Sequence, residues 1–212
     1  MSARVVTISA TFGAGGASLG PAVAARLGLP FVDRAIPVEV AAGIGCSLEE
    51  ALAHDGRAES GLGRVLAGAA RLPGVSFGGM DVHVPDRVIV PEEEFVARTE
   101  QIIHRTAGAG GGVLLGRAAA LVLAGRGDAL HVRLDGPRER RLERAAAAGP
   151  DGTPQREVER MLDANDRARA AYVKHFYGAD PADPRLYHLV IDTTRVPEPA
   201  AVEIIVTAAR AV

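Results

Sequence analysis

The sequence predicts an α/β fold in which a five-stranded parallel sheet is covered by helices on both faces. Three observations predict it. Five short apolar or β-branched runs recur along the chain, segments of helical periodicity separate them, and a glycine-rich turn follows the first run directly. Parallel neighbours need long crossovers, usually helical, and those helices cover both faces of the sheet.

The first strand is Val5 to Ser9. The turn Ala10-Thr11-Phe12-Gly13-Ala14-Gly15-Gly16 follows, then Leu19, Val23 and Leu27 at helical spacing. Ser18 is the expected N-cap of that helix, with Pro21 at its third position, and Gly28-Leu29-Pro30 ends it. Phe31-Val32 is a second strand that delivers Asp33-Arg34 at its carboxyl end. Residues 35 to about 107 read as an inserted, mostly helical lobe. Ser47-Leu48-Glu49-Glu50 opens one helix as a capping box, Pro73 to Pro91 forms a loop or hairpin, and Glu92 to Thr106 is amphipathic. The core resumes near 108 with the apolar strand Gly112 to Leu115, then Gly116-Arg117 and a helix over 118–124. Leu130 to Leu134 is a strand, Arg138 to Ala148 a helix, and Gly149-Pro150-Asp151-Gly152 a turn. A long charged helix or helix pair spans Pro154 to His175, Leu189 to Ile191 is the last strand, and a helix over 200–210 closes the chain. The whole, residues 1–212, reads as one domain.

Of the 212 residues, 24 are Lys or Arg and 26 Asp or Glu, giving a net charge of −2. That balance argues against a nucleic-acid-coating or polybasic membrane-binding protein and favours small charged metabolites. Cys46 is alone, which excludes an intrachain disulfide. Met1-Ser2-Ala3-Arg4 lacks the apolar core of a signal peptide and no window reads as a membrane span, so the expected location is cytoplasmic. A homo-oligomer is compatible with the sequence. The six histidines show no zinc-ligand spacing, and Cys46 reads as a small buried apolar residue. Tyr172, Phe176 and Tyr177 read as a core cluster.

The chemistry begins at the glycine turn. Small residues let main-chain N–H groups approach phosphate oxygens, and the helix that follows adds its positive end. Gly13, Ala14, Gly15, Gly16, Ala17 and Ser18 are therefore the candidate phosphate cradle, with Ser18 also able to offer a hydroxyl to Mg2+. Measured against the pattern G-x-x-x-x-G-K-[ST], Gly15 is the second glycine, Ala10 stands at the first, and Gly16 occupies the lysine position. Lys174 is the chain's one lysine. Missing it removes a full positive charge from the phosphates. A dinucleotide-binding reading competes, because Asp33 lies 20 residues beyond Gly13, but Ser18 stands where its third glycine would fall.

Carboxyl ends of parallel strands face the ligand crevice, so Asp33, Arg34 and Arg117 are placed beside the cradle. A guanidinium there suits a phosphate or carboxylate, or else pairs with Asp33 structurally. On the charged helix, Asp166 and Arg169 share one face, with Arg156 and Arg160 a turn or more earlier. Such a face is able to close over nucleotide phosphates, or is simply solvated.

Taken together these segments resemble the cytidylate kinase-like family of P-loop kinases. The residues that carry the resemblance are Val6-Thr7-Ile8-Ser9 with Phe12-Gly13-Ala14-Gly15-Gly16, Leu27 to Arg34, Leu115-Gly116-Arg117-Ala118, Asn165 to Tyr172, and Leu189 to Thr194. The resemblance implies a three-layer P-loop NTPase fold with a helical substrate lobe and a lid at about 149–172. It also implies an ATP-dependent phosphotransferase acting on a nucleotide-like acceptor. Arg117 matches the arginine that holds the acceptor monophosphate, whereas Ala118 stands where the family carries an acid. Asp163, Asp166 and Arg169 fit the lid pattern, with Leu162 in place of its leading arginine. In that scheme Asp33, Arg117 and Arg169 are catalytic, and Arg34, Arg117, Asp166 and Arg169 bind the acceptor. The cradle with Arg156 and Arg160 holds ATP, and Ser18 and Asp33 reach Mg2+. A nucleotide-binding regulatory protein without turnover is the alternative, because main-chain donors suffice for binding.

Overall fold

The computed structural model describes residues 3–32, 92–116, 118–149 and 153–212. Its elements are β1 (Val5–Ala10), α1 (Gly16–Leu27), β2 (Phe31–Val32), α2 (Glu92–Gly108), β3 (Gly112–Leu115) and α3 (Ala119–Val122). There follow β4 (Ala129–Asp135), α4 (Arg138–Ala148), α5 (Gln155–Tyr177), a 3-10 turn at Pro184–Leu186, β5 (Leu189–Asp192) and α6 (Glu198–Ala211). The capping box at Ser47, Cys46, the segment Pro73 to Pro91, and Asp33, Arg34 and Arg117 lie outside the described residues.

The five strands form one parallel sheet in the order β2-β3-β1-β4-β5. Thr7 of β1 stands between Leu114 of β3 and His131 of β4. The chain fills one side of β1 with β2 and β3 and the other side with β4 and β5. A topological switch point therefore falls at the carboxyl end of β1, where ligands of open α/β sheets bind.

Alternation along the strands divides the core. Val6, Ile8, Val132 and Leu134 pack against Leu19 and Val23 of α1 and Val202, Ile205 and Val206 of α6. On the opposite face Val5, Leu114 and Ala129 meet Ile103 and Ala107 of α2 and Tyr172 and Val173 of α5. Each fully buried Leu or Ile contributes about 1.5–3 kcal/mol of transfer free energy. Because Ile103 and Ala107 are buried in the sheet core, the core takes the chain up again within α2. Tyr172 is buried and meets the Phe176 ring edge-on at 4.9 Å. A third cluster of Leu142, Val158 and Leu162, with Phe12 against it, ties α4 and α5 to the glycine turn.

Helix α1 starts earlier than the sequence suggests. Gly15, not Ser18, is its N-cap, in the left-handed region at φ 78°, so Ser18 falls in the first turn. Pro21 then lies inside the helix rather than at its third position. Its missing N–H deprives the carbonyl of Ala17 of a helical donor, and Ala17 is exposed, so water can serve instead. The charged segment near 154–177 is one continuous helix rather than a pair.

Beyond Ala129, the β4 side chains opposite the α1 face are polar. His131 Nδ1 lies 2.8 Å from the Thr7 hydroxyl, and its ring stacks on His188 at 5.0 Å. Burial, then the neighbouring His188, hold the His131 pKa down to about 4. The buried Arg133 pairs with Asp135 at 2.7 Å, donates to the Pro181 carbonyl and lies over the Tyr187 ring.

Candidate functional site

The glycine turn leaves the end of β1 at the switch point, held on all sides by its neighbours. The Thr11 hydroxyl donates to Asp135 Oδ1 at 3.0 Å, and the Thr11 N–H to the Leu134 carbonyl. Asp166 Oδ1 accepts the Phe12 N–H at 3.1 Å, while Arg141 donates to the Phe12 carbonyl at 2.9 Å. The Ala14 N–H turns back to Thr11, and the buried Thr193 hydroxyl, just past β5, donates to the Ala14 carbonyl at 2.7 Å. Two glycines at φ 78°, Gly13 and Gly15, reverse the chain between these anchors. A Cβ at Gly13 would fall inside the Arg141 carbonyl oxygen, so the backbones of α4 and the turn touch there.

The bracing uses the N–H groups of Thr11, Phe12 and Ala14. No hydrogen bond among the described residues uses those of Gly13, Gly15, Gly16 or Ala17. Donors at the start of a helix have no helical acceptor, and here they gather around left-handed glycines at the positive end of α1. Unpartnered donors at a helix N-terminus are a setting in which anions bind, which makes the turn the candidate phosphate site. Gly16, at the lysine position of the pattern, has no space for a side chain: a Cβ would stand 2.7 Å from the Ala10 Cβ and 3.0 Å from Leu115 Cδ1. The missing lysine is thus built into the packing between β1, β3 and α1.

Arginines from α4 supply cations at this site. Arg141 is buried and also donates to the Gly136 carbonyl at 2.9 Å and to Asp166 at 2.7 Å. Arg144 lies over the turn, its Nη2 2.7 Å from where a Cβ on Gly15 would stand. It donates to the Thr193 carbonyl at 2.7 Å and has Glu198 at 3.7 Å. The Ser18 hydroxyl is 2.9 Å from Glu198 Oε2 and 3.1 Å from the Gly15 carbonyl, and donates its one proton to either. Arg138 forms a two-pronged pair with Asp163, whose carboxyl it holds below the usual carboxylate range. Burial alone would raise the pKa of Asp135, but the Gly136 N–H, Arg133 and the Thr11 hydroxyl outweigh it and keep it low.

Of the residues expected at the site, Gly13 to Ser18 come together, and Asp166 joins them from α5 as a brace on Phe12. Arg156 and Arg160 lie exposed on the N-terminal half of α5, and Arg169 is half-buried further along it. The sequence reading missed Arg141, Arg144, Thr193 and Glu198. A signal for the arginines was present: Arg138, Arg141 and Arg144 repeat every third residue of a helix that starts just past a strand's carboxyl end.

A parallel sheet in this order, with a glycine turn at the end of its central strand, is a P-loop-type α/β fold. Residues 5–195 match the cytidylate kinase-like family, and the chain belongs to that family. Over 143 residues it is 31% identical to a cytidylate kinase of Methanopyrus kandleri, covering 64% of this chain and 73% of that one. Its fold is similar to the crystal structure of an uncharacterized protein from Eubacterium ventriosum, with TM-score 0.64 and 15% identity over 97% of both chains. The protein is accordingly nucleotide kinase-like. Among the described residues no helix is long and apolar enough to cross a membrane.

Proposed function

We propose that the protein is a cytoplasmic phosphotransferase that moves the γ-phosphoryl group of ATP to a nucleoside monophosphate-like acceptor. The observation that carries this reading is the turn itself: four main-chain N–H groups, of Gly13, Gly15, Gly16 and Ala17, with no partner among the described residues, at and just before the start of α1. Gly13 to Ala17 hold the polyphosphate, Arg34, Arg117 and Arg169 hold the acceptor phosphate, and Asp166 braces the turn beside them through Phe12 and Arg141. Asp33 stands near the acceptor. Arg156 and Arg160, exposed on the N-terminal half of α5, serve the ATP phosphates. Transfer then rests on alignment and on charge stabilisation rather than on covalent chemistry.

Mg2+ in such sites takes most of its ligands from water and phosphate oxygens and needs few from the protein. Among the described residues no group of three or more His, Cys, Asp or Glu is arranged to hold a metal. The Ser18 hydroxyl beside the cradle fits that smaller requirement, and Asp33 is the second ligand this reading assigns. A bound ion would neutralise charge developing on the transferred phosphate.

A coupled kinase assay across the nucleoside monophosphates tests the reading. Turnover is expected for at least one acceptor and its loss in Arg117→Ala; no turnover above that variant for any acceptor overturns it. The close packing at Gly16 favours a second reading, a nucleotide-binding regulatory protein with no turnover. Calorimetry separates the two: tight ATP binding without product over hours supports the regulatory role.

A further inference from the structure

Resting on the phosphate cradle just described, the geometry points to Arg144 as the source of the charge that the loop itself lacks. We propose that Arg144 is the phosphate-binding cation of this site and that Glu198 is its counter-ion in the absence of nucleotide. Position 16 cannot supply a cation, because a Cβ there already meets Ala10 and Leu115. Arg144 overhangs the adjacent Gly15, with Nη2 2.7 Å from the position a Gly15 Cβ would take. An alanine at 15 would strike it, so the two residues are fitted to each other across the crevice.

The partners of Arg144 leave it available. Nη1 is anchored on the Thr193 carbonyl at 2.7 Å, which fixes where the guanidinium hangs. Nη2 faces Glu198 at 3.7 Å, too far for a hydrogen bond, and both side chains are about one-third exposed. A screened, loosely held ion pair exchanges readily for a multiply charged phosphate, to which a guanidinium offers two parallel N–H groups. Glu198 is also the carboxylate nearest Ser18, at 2.9 Å. Left without Arg144 it places a negative charge at the edge of an anion site, so Glu198 opposes phosphate where Arg144 attracts it. Arg141, by contrast, is buried and bonded to Phe12, Gly136 and Asp166, which makes it a positioning residue rather than a ligand.

The test measures calorimetric binding of ATP and of inorganic tripolyphosphate, with Mg2+ at low salt, to the full chain and its variants. Arg144→Ala is expected to weaken both ligands about tenfold or more, as loss of a charge-assisted contact does, and Arg144→Lys to recover much of that loss. Glu198→Gln is expected to tighten both several-fold, a result that does not depend on the alanine variant folding. Equal affinity of wild type and Arg144→Ala for both ligands overturns the assignment and leaves the cradle intact. Loss of ATP binding without loss of tripolyphosphate binding also overturns it, because the guanidinium then serves the base. If the wild type binds neither ligand, the cradle reading itself fails.

Discussion

Replacing Asp166 with alanine probes the coupling between the glycine loop and α5. The carboxylate takes the Phe12 N–H at 3.1 Å and a 2.7 Å pair with Arg141, whose side chain is 8% exposed against 26% for Asp166. A charge-assisted bond of this kind is worth about 1.5–3 kcal/mol and the neutral bond about 1 kcal/mol. Arg141 keeps its bonds to the Phe12 and Gly136 carbonyls, with Asp135 3.8 Å away. The loss should therefore stay below the ~3–5 kcal/mol of a stranded buried charge. About 2–3 kcal/mol is expected, and in a chain of this size it lowers the thermal midpoint by about 4–12 °C. Asp166→Asn keeps the acceptor oxygen for Phe12 and should lose about half as much. Circular dichroism melts check the stability, and acceptor KM is measured in parallel. If both variants melt within a degree of wild type while acceptor KM rises, the brace is refuted and Asp166 belongs to the acceptor.

Other outcomes follow from single contacts. Gly16→Lys, which restores the pattern's lysine, should destabilise the protein by about 1–3 kcal/mol through overpacking against Ala10 and Leu115, and should not raise activity; a stable, more active variant would refute the packing argument. Thr193→Val removes the bond to the Ala14 carbonyl, and a loss of about 1 kcal/mol with weaker ATP binding is expected from melts and calorimetry. The folded-state pKa of His131, about 4, lies below its unfolded value, so its contribution is complete above pH about 6.5 and is lost as pH falls towards 4. Denaturant titrations at pH 7 and 4.5 should show up to about 3 kcal/mol of this loss, and His131→Gln should flatten the difference.

Much of the architecture is local in origin and so was legible in the chain. Strand Gly112–Leu115 and helix Arg138–Ala148 fall where apolar runs and helical spacing place them, because periodicity marks the face that must be buried. The glycine turn was equally plain, since few other residues tolerate its left-handed positions. The start of α1 was misread because serine is a good N-cap in general, whereas here glycine's freedom at 15 begins the helix earlier.

What the sequence determined by itself is the order of strands and helices and the presence of an anion-ready turn, both written in neighbouring residues. The tertiary structure alone decided which of many arginines and carboxylates meet that turn. Phe12 is joined to Arg141 across 129 positions and to Asp166 across 154. The physical reason is that a helix's pattern sets which side chains share a face, but the partner of a charge is whatever the closing of the sheet brings within hydrogen-bond reach.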